Sequence, residues 1–244
     1  MSNEPTVDLP VPARVLAIGA HPDDIEFGCG ATLAKWSAAG AEVHLLVLTD
    51  GAKGTWDPDA DPAALAVARV AEQADAAARL GATAVHHTDY VDGELENGTD
   101  QRAAVCAVIR TTRPDVVLTH DPWKRYRLHP DHQHAGFLAV DGVVAARDPH
   151  FFPDQGIAHH RPSALLLFEA DQADHGEDVT GFDGPKLAAL ESHASQFEST
   201  MEITAADEGA DRERFARRIR DRLAEAGRRM GVAHAELFAR VSPE

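Results

Sequence analysis

Two short clusters of histidine and aspartate are the parts of this sequence best suited to chemistry. The first reads AHPDD at 20–24, and the second reads HPDH at 129–132. Imidazole nitrogen and carboxylate oxygen are good zinc ligands, and a catalytic zinc keeps three protein ligands and one position open for water. Two adjacent aspartates allow one to bind the metal while its neighbour takes a proton from the bound water. The clusters therefore predict a catalytic metal site.

Histidine alone is weak support for such a site, because most histidines in proteins are structural. The chain has 14 histidines, and no functional role is given to His44, His86, His87, His159 and His160. A chance proximity of the two clusters is the alternative, although metal sites recruit histidine and aspartate together. Spacing also leaves open which of His129, His132 and His134 binds the metal, since more than one can turn toward a crevice from a helix start.

Both clusters follow a predicted buried strand and precede a predicted helix. Short apolar, partly β-branched runs predict strands at 14–20, 42–49, 83–88, 115–120 and 163–169. Alanine-rich stretches between them predict helices at 29–39, 62–80, 100–111 and 131–146. Further along, 186–197 has a helical pattern and 211–230 reads as a solvated amphipathic helix. The two clusters are expected to face each other at the carboxyl ends of parallel strands.

The alternation of strands and helices predicts an α/β fold. Right-handed crossovers would place helices on both faces of a mostly parallel sheet, in a three-layer Rossmann-like sandwich. We expect a single domain over 1–244, since α/β folds of this size commonly form one. The loop GAHPDDIEFGCG at 19–30 does not match G-x-G-x-x-G, so a dinucleotide-binding loop is disfavoured.

Charge and composition restrict the partners. The net charge of -17 would repel the phosphate backbone of nucleic acid and an anionic membrane surface. No apolar run approaches the ~20 residues of a membrane span, and the amino terminus lacks a signal-peptide pattern. Only two cysteines are present, Cys29 and Cys106, which are too few for a disulfide framework. We expect a cytoplasmic protein that binds neither nucleic acid nor membrane.

The two clusters, in this order and spacing, resemble the LmbE-like or PIG-L family of zinc-dependent N-deacetylases. The resemblance extends to LTDG at 48–51, RPDVVLTH at 113–120, SQF at 195–197 and GVAHAELF at 231–238, so it covers nearly the whole chain. The form HPDDIEFG is most similar to the smaller bacillithiol-type deacetylases. The resemblance implies a zinc cofactor, with Fe2+ or another divalent metal as the alternative, and a homo-oligomer.

The resemblance also implies individual roles within the two clusters. Metal ligation falls to His21, Asp24 and His132. Asp23 would be the general base, and His129 would be the acid or the oxyanion stabiliser. Asp131 would hydrogen-bond His129 and keep it protonated, because a nearby carboxylate favours imidazolium.

Three further residues are predicted to bind substrate. Arg69 would do so by resemblance, with an ordinary helix-surface salt bridge to Glu72 or Asp75 as the alternative. Arg127 precedes the second cluster in a loop that could reach an anionic group or lie plainly on the surface. His193 stands where the smaller deacetylases tend to have a tyrosine near the pocket.

The expected reaction is removal of an acetyl group from the nitrogen of an N-acetylglucosamine-type or related amino-sugar conjugate, a small molecule. Metal-activated water would attack the amide, with Asp23 as base. Three alternatives remain at this point. They are an amidase acting on a larger thiol conjugate, an iron oxygenase that uses the same ligand types, and a sugar binder without activity.

Overall fold

Eight strands and six α-helices alternate along the part of the chain that the computed structural model describes, residues 5–207 and 209–242. The strands are β1 (Thr6–Val7), β2 (Arg14–Gly19), β3 (Glu42–Thr49), β4 (Ala84–Tyr90), β5 (Val116–His120), β6 (Ala164–Phe168), β7 (His175–Asp178) and β8 (Ala235–Val241). The helices are α1 (Asp24–Ala38), α2 (Pro62–Leu80), α3 (Thr99–Thr112), α4 (Pro130–Arg147), α5 (Asp183–Leu190) and α6 (Ala210–Met230). Short turns of 3-10 or π type lie at Pro153–Gln155, Ala194–Gln196 and Phe197–Met201.

The described strands form one sheet in the order β1-β7-β8-β6-β5-β2-β3-β4. Strands β2 to β6 pair in parallel with one another, and β8 runs antiparallel to both β6 and β7. Because β2 lies between β3 and β5, the loops that follow these strands leave the sheet side by side at one edge. The predicted α/β class with a mostly parallel sheet is confirmed.

Successive side chains of β2 point to opposite faces of the sheet, which explains the three layers. Val15 and Ala17 face a core that includes Trp36 of α1 and Leu80 of α2. The intervening residues of β2 face the opposite core, which α3 and α4 cover. Full burial of each large apolar side chain stabilises the fold by about 1.5–3 kcal/mol, so both faces of the sheet require a helical cover.

Local signals set the ends of α2. The Asp61 side chain accepts a hydrogen bond from the amide of Ala63 at 3.0 Å, Pro62 occupies the first turn, and Gly81 ends the helix at φ 71°. Helix α6 buries an apolar stripe and leaves its charged residues exposed, so its interpretation as a solvated amphipathic helix is confirmed. No helix of the described chain has the length and apolar character needed to span a membrane.

Helix α1 begins at Asp24, five residues before the predicted start, and it includes a break. At Cys29 the backbone leaves the helical region, with φ -149° and ψ 17°. The Glu236 carboxylate of β8 accepts hydrogen bonds from the amides of Ala31 and Thr32 at 3.1 and 2.8 Å. A distant carboxylate therefore caps the second part of the helix, which a local pattern cannot reveal.

Three short strands and one helix end differ from the sequence prediction. Strands β1, β7 and β8 were not predicted as strands. β7 reads HGED and lacks β-branched residues, but Glu177 within it accepts hydrogen bonds from the Leu9 amide and the Lys35 ammonium, at 2.8 and 2.5 Å. The helix predicted over 186–197 ends at Leu190, and a 3-10 turn follows at Ala194–Gln196.

Candidate active site

The two His/Asp clusters meet at the carboxyl edge of the sheet, beside a cavity of about 590 Å³. The first cluster connects β2 to α1, and the second connects β5 to α4, so the pairing of β2 with β5 brings them together. Helix α4 begins at Pro130, and its first turn carries His132 toward His21. Residues more than a hundred positions apart in the chain are thereby brought together in one site.

His21, Asp24 and His132 form what we call the donor triangle, in which each histidine faces a different oxygen of Asp24. His21 Nδ1 lies 3.3 Å from Asp24 Oδ2, His132 Nε2 lies 3.2 Å from Asp24 Oδ1, and the two imidazole nitrogens are 3.2 Å apart. Metal–ligand bonds of about 2.0–2.1 Å in a tetrahedron imply ligand separations of about 3.3–3.4 Å. The separations of these donor atoms are therefore compatible with a divalent ion held by the three residues.

His129 is a possible third donor in place of Asp24, because its donor atom lies within 4.8 Å of those of His21 and His132. His134, which the spacing left open, points elsewhere because its Nδ1 contacts the carbonyl of Leu95. The structure therefore places His129 and His132 at the site and directs His134 away from it.

Two carboxylates hold His21 from the side away from the triangle. Its Nε2 lies 3.2 Å from Asp92 Oδ1 and 3.2 Å from Asp131 Oδ2. Carboxylates in this position fix the tautomer and orientation of a ligating histidine. Burial raises the pKa of Asp92, but the hydrogen bond and charge of His21, the Lys53 amide and the charge of Arg69 together bring the pKa to about 2. Asp92 was not predicted, although its place just after β4 was an available signal.

The predicted contact between Asp131 and His129 is wrong in one respect. The Asp131 carboxylate accepts from His21 and from the amides of Gly93 and Leu95, at 2.7 and 3.3 Å. It is the Asp131 backbone amide that contacts His129, donating to Nδ1 at 3.3 Å. Burial and the neighbouring imidazoles lower the pKa of His129 by more than the Asp131 and Asp92 carboxylates raise it.

His120 is a second site residue that sequence reasoning missed. It ends β5, is 1% exposed, and places Nε2 3.2 Å from Asp24 Oδ2. Its ring stacks on His132 with centroids 4.4 Å apart and planes at 14°. His120 is a possible third donor beside Asp24 and His132, although it is not among the residues that line the cavity.

Asp23 faces the cavity with an unusual backbone. It precedes α1 at φ 97°, a left-handed conformation that costs a non-glycine residue energy and is typical of functional sites. The Gln73 side chain accepts its amide hydrogen bond at 3.2 Å, and Arg69 Nη2 lies 3.6 Å from its carboxylate. Burial raises the pKa of Asp23, Arg69 lowers it, and Asp24 raises it, to a final pKa of about 6.

The three predicted substrate-binding residues are placed differently from one another. Arg69 lines the cavity, but it is 3% exposed and holds Asp23 and the carbonyls of Gly51 and Pro22. It is not the surface salt bridge considered above, since Glu72 accepts from Ser195 instead.

Arg127 and His193 are not among the residues that line the cavity, so direct contact of either side chain with substrate stays a prediction. The Arg127 side chain is 6% exposed and ion-paired to Glu169 at 2.5 Å. His193 is fully buried behind Asp23, with Nε2 3.6 Å from Glu26. Both were assigned from sequence position, whereas burial is decided by the packing of distant segments.

Residues 16–143, more than half of the chain, match the family described as PIG-L, GlcNAc-PI de-N-acetylase. This chain belongs to the PIG-L family. The family resemblance stated from the sequence is thereby confirmed. Both His/Asp clusters lie inside the matched region, so the PIG-L match covers the donor triangle and Asp23.

Proteins named as deacetylases are similar to most of the chain. A diacetylchitobiose deacetylase of Thermococcus kodakarensis is 37% identical over 198 residues, covering 80% of this chain and 73% of that protein. A 1D-myo-inositol 2-acetamido-2-deoxy-alpha-D-glucopyranoside deacetylase of Streptomyces scabiei is 31% identical over 249 residues, covering 76% of each. The solved N,N'-diacetylchitobiose deacetylase of Pyrococcus horikoshii superposes with a TM-score of 0.84 at 30% identity, over 95% of this chain and 84% of that one.

Proposed function

We propose that this chain is a metal-dependent deacetylase that removes acetyl from the nitrogen of an N-acetylglucosamine-type conjugate. The donor triangle beside the free carboxylate of Asp23 is the observation that carries the proposal. Its relatives in the PIG-L family are named as deacetylases of such sugars. That likeness disfavours an iron oxygenase or an inactive sugar binder.

His21, Asp24 and His132 would hold the metal, for which zinc is our proposal. The 3.2–3.3 Å spacing of their donors supports a small tetrahedral ion. Such an ion, when bound, lowers the pKa of a bound water to about 7 and polarises a carbonyl oxygen. Asp92, Asp131 and His120 would keep the ligands in position, since each contacts a ligand from behind.

Asp23 would be the general base. It lines the cavity next to Asp24 while its own carboxylate is held by Arg69 at 3.6 Å. A base performs best when its pKa lies near the working pH, and burial brings the pKa of Asp23 to about 6. Arg69 would therefore position the base rather than bind the sugar.

His129 would stabilise the oxyanion as a neutral hydrogen-bond donor. Its Nδ1 accepts the amide hydrogen of Asp131, so the ring proton of the neutral imidazole lies on Nε2. Water attacks the amide carbon, Asp23 takes the water proton, and Nε2–H donates to the developing oxyanion. Asp23 then returns the proton to the nitrogen as the C–N bond breaks, which yields acetate and a free amine.

Acetate release tests the proposal directly. The substrates are diacetylchitobiose, N-acetylglucosaminyl inositol and the methyl glycoside of N-acetylglucosamine, with zinc-loaded and chelator-treated enzyme. We expect chelator-sensitive acetate release that zinc restores. Acetate absent with all three sugars, from folded protein with zinc bound, would contradict the proposed function.

Two variants separate the base from the ligands. Asp23→Asn should keep zinc and lose about 10²–10⁴-fold in kcat, the usual contribution of a general base. His132→Ala should lose zinc, whereas His134→Ala, on the same helix but directed at the Leu95 carbonyl, should retain it. Full activity in Asp23→Asn, or equal zinc content in the two histidine variants, would remove the corresponding assignment.

A further inference from the structure

The cationic side chains that line the cavity are almost all neutralised within the protein. Three of the four have a carboxylate partner: Arg69 with Asp23 at 3.6 Å, Lys53 with Glu94 at 3.0 Å, and Arg218 with Glu202 at 3.1 Å. Among the residues that the structure describes, Arg222 of α6 is the lining cation without a hydrogen bond or an ion pair.

The carboxylates of the cavity leave no partner for Arg222 either. Glu169 pairs with Arg127 at 2.5 Å, Asp92 contacts His21 at 3.2 Å, and Asp24 belongs to the donor triangle. Arg222 is therefore unpaired in a chain that carries 40 acidic and 23 basic residues. A guanidinium remains charged at any working pH and its planar fork matches carboxylate or phosphate.

The place of Arg222 defines which part of a ligand it can reach. It projects from α6, whereas the donor triangle lies at the carboxyl edge of the sheet, and both border the same cavity of about 590 Å³. Cavities of this size hold a ligand larger than a lone acyl group. Arg218 lies one turn earlier on α6 and also lines the cavity, but it is already paired with Glu202 at 3.1 Å.

We propose that the substrate carries a carboxylate or phosphate on the part of the conjugate away from the acetyl group, and that Arg222 binds it. This inference rests on the proposed deacetylation and names the class of sugar conjugate that the site selects. The acetamide lies against the donor triangle and Asp23, while the anionic substituent lies against α6.

The test compares selectivity in matched arginine variants. The substrates are the neutral methyl glycoside of N-acetylglucosamine, N-acetylglucosamine 1-phosphate and an N-acetylglucosamine glycoside of a hydroxy acid. The control is Arg229→Gln, because Arg229 is also exposed, lies on α6 and has no partner in the described chain, but borders only the groove along α6 and not the cavity. Arg222→Gln and Arg229→Gln change the net charge equally.

We expect wild-type kcat/KM to favour an anionic substrate over the neutral one. In Arg222→Gln this ratio should fall on the order of tenfold, through KM, as for loss of a charged hydrogen bond that is equal in ground and transition states. Arg229→Gln should keep the ratio. If the preference over the neutral glycoside is larger for N-acetylglucosamine 1-phosphate, the bound group is a phosphate; if it is larger for the hydroxy-acid glycoside, the bound group is a carboxylate. Acetate released without anionic preference, or an equal loss in both variants, would overturn the inference while leaving the proposed function intact.

A binding experiment tests the contact between Arg222 and an anion independently, even if no substrate is turned over. Calorimetric titration with glucosamine 1-phosphate measures the anion contact without chemistry. Binding that is on the order of tenfold weaker in Arg222→Gln than in Arg229→Gln supports the contact. Equal affinities in the two variants overturn it.

Discussion

Replacement of Gly136 by alanine should disturb the metal site without touching a proposed ligand. Gly136 lies in α4, one turn after His132, where the helix crosses the end of β5. A Cβ at this position would come within 2.6 Å of the His120 carbonyl oxygen and 2.9 Å of the backbone nitrogen of Pro122. These atoms belong to the backbone and cannot rotate away, so the helix itself must move.

The size of the movement follows from the contact. Ordinary contact begins at 3.4 Å, so α4 must shift by roughly 0.8 Å, which exceeds the tolerance of about 0.5 Å within which site geometry must be held. Overpacking costs about 1–3 kcal/mol, and alanine in a helix recovers about 1 kcal/mol relative to glycine. We expect a modest loss of stability and a loss of zinc affinity of about 10–100-fold, as when supporting contacts of a ligand are removed.

Gly142→Ala is the matched control for this variant. It lies on the same helix and gains the same propensity, but its Cβ would meet the Val105 side chain, at 2.7 Å. We expect this variant to lose stability in urea unfolding and to keep its zinc affinity in competition with a chromophoric chelator. Wild-type zinc affinity in Gly136→Ala, despite a comparable loss of stability, would refute the argument that the seating of α4 sets the ligand distances.

Two further predictions concern groups behind the site. Asp92→Asn should lower zinc affinity about 10-fold or more, because His21 loses a charged partner; the same competition titration measures this, and unchanged affinity would contradict it. Burial lowers the pKa of His193, but Glu26 at 3.6 Å raises it more, so the stability from this pair is complete below about pH 6.5 and is lost as pH rises through the folded-state pKa. The unfolding free energy of chelator-treated wild type should therefore fall toward that of His193→Asn as the pH rises above about 6.5, and a constant difference would exclude the pair.

Much of the fold was readable from local patterns. The five predicted strands of the parallel part of the sheet and helices α2, α3 and α4 appear within two residues of their predicted ends. Apolar runs, prolines at helix starts and glycines at helix ends act within a few residues, so a linear pattern records them. The missed strands β1 and β7 depend on partners more than 150 residues away in the chain.

The sequence by itself determined the sheet class and the two His/Asp clusters, because residue type and spacing carry that information. Only the tertiary structure showed that His129 and His132 face His21 while His134 faces the Leu95 carbonyl, although all three lie at one helix start. It also placed Asp92, His120 and Arg222 at the site and buried His193 behind Asp23. Strand order and helix packing bring these residues together from separate segments, and contacts at such separation leave no periodic trace in the chain.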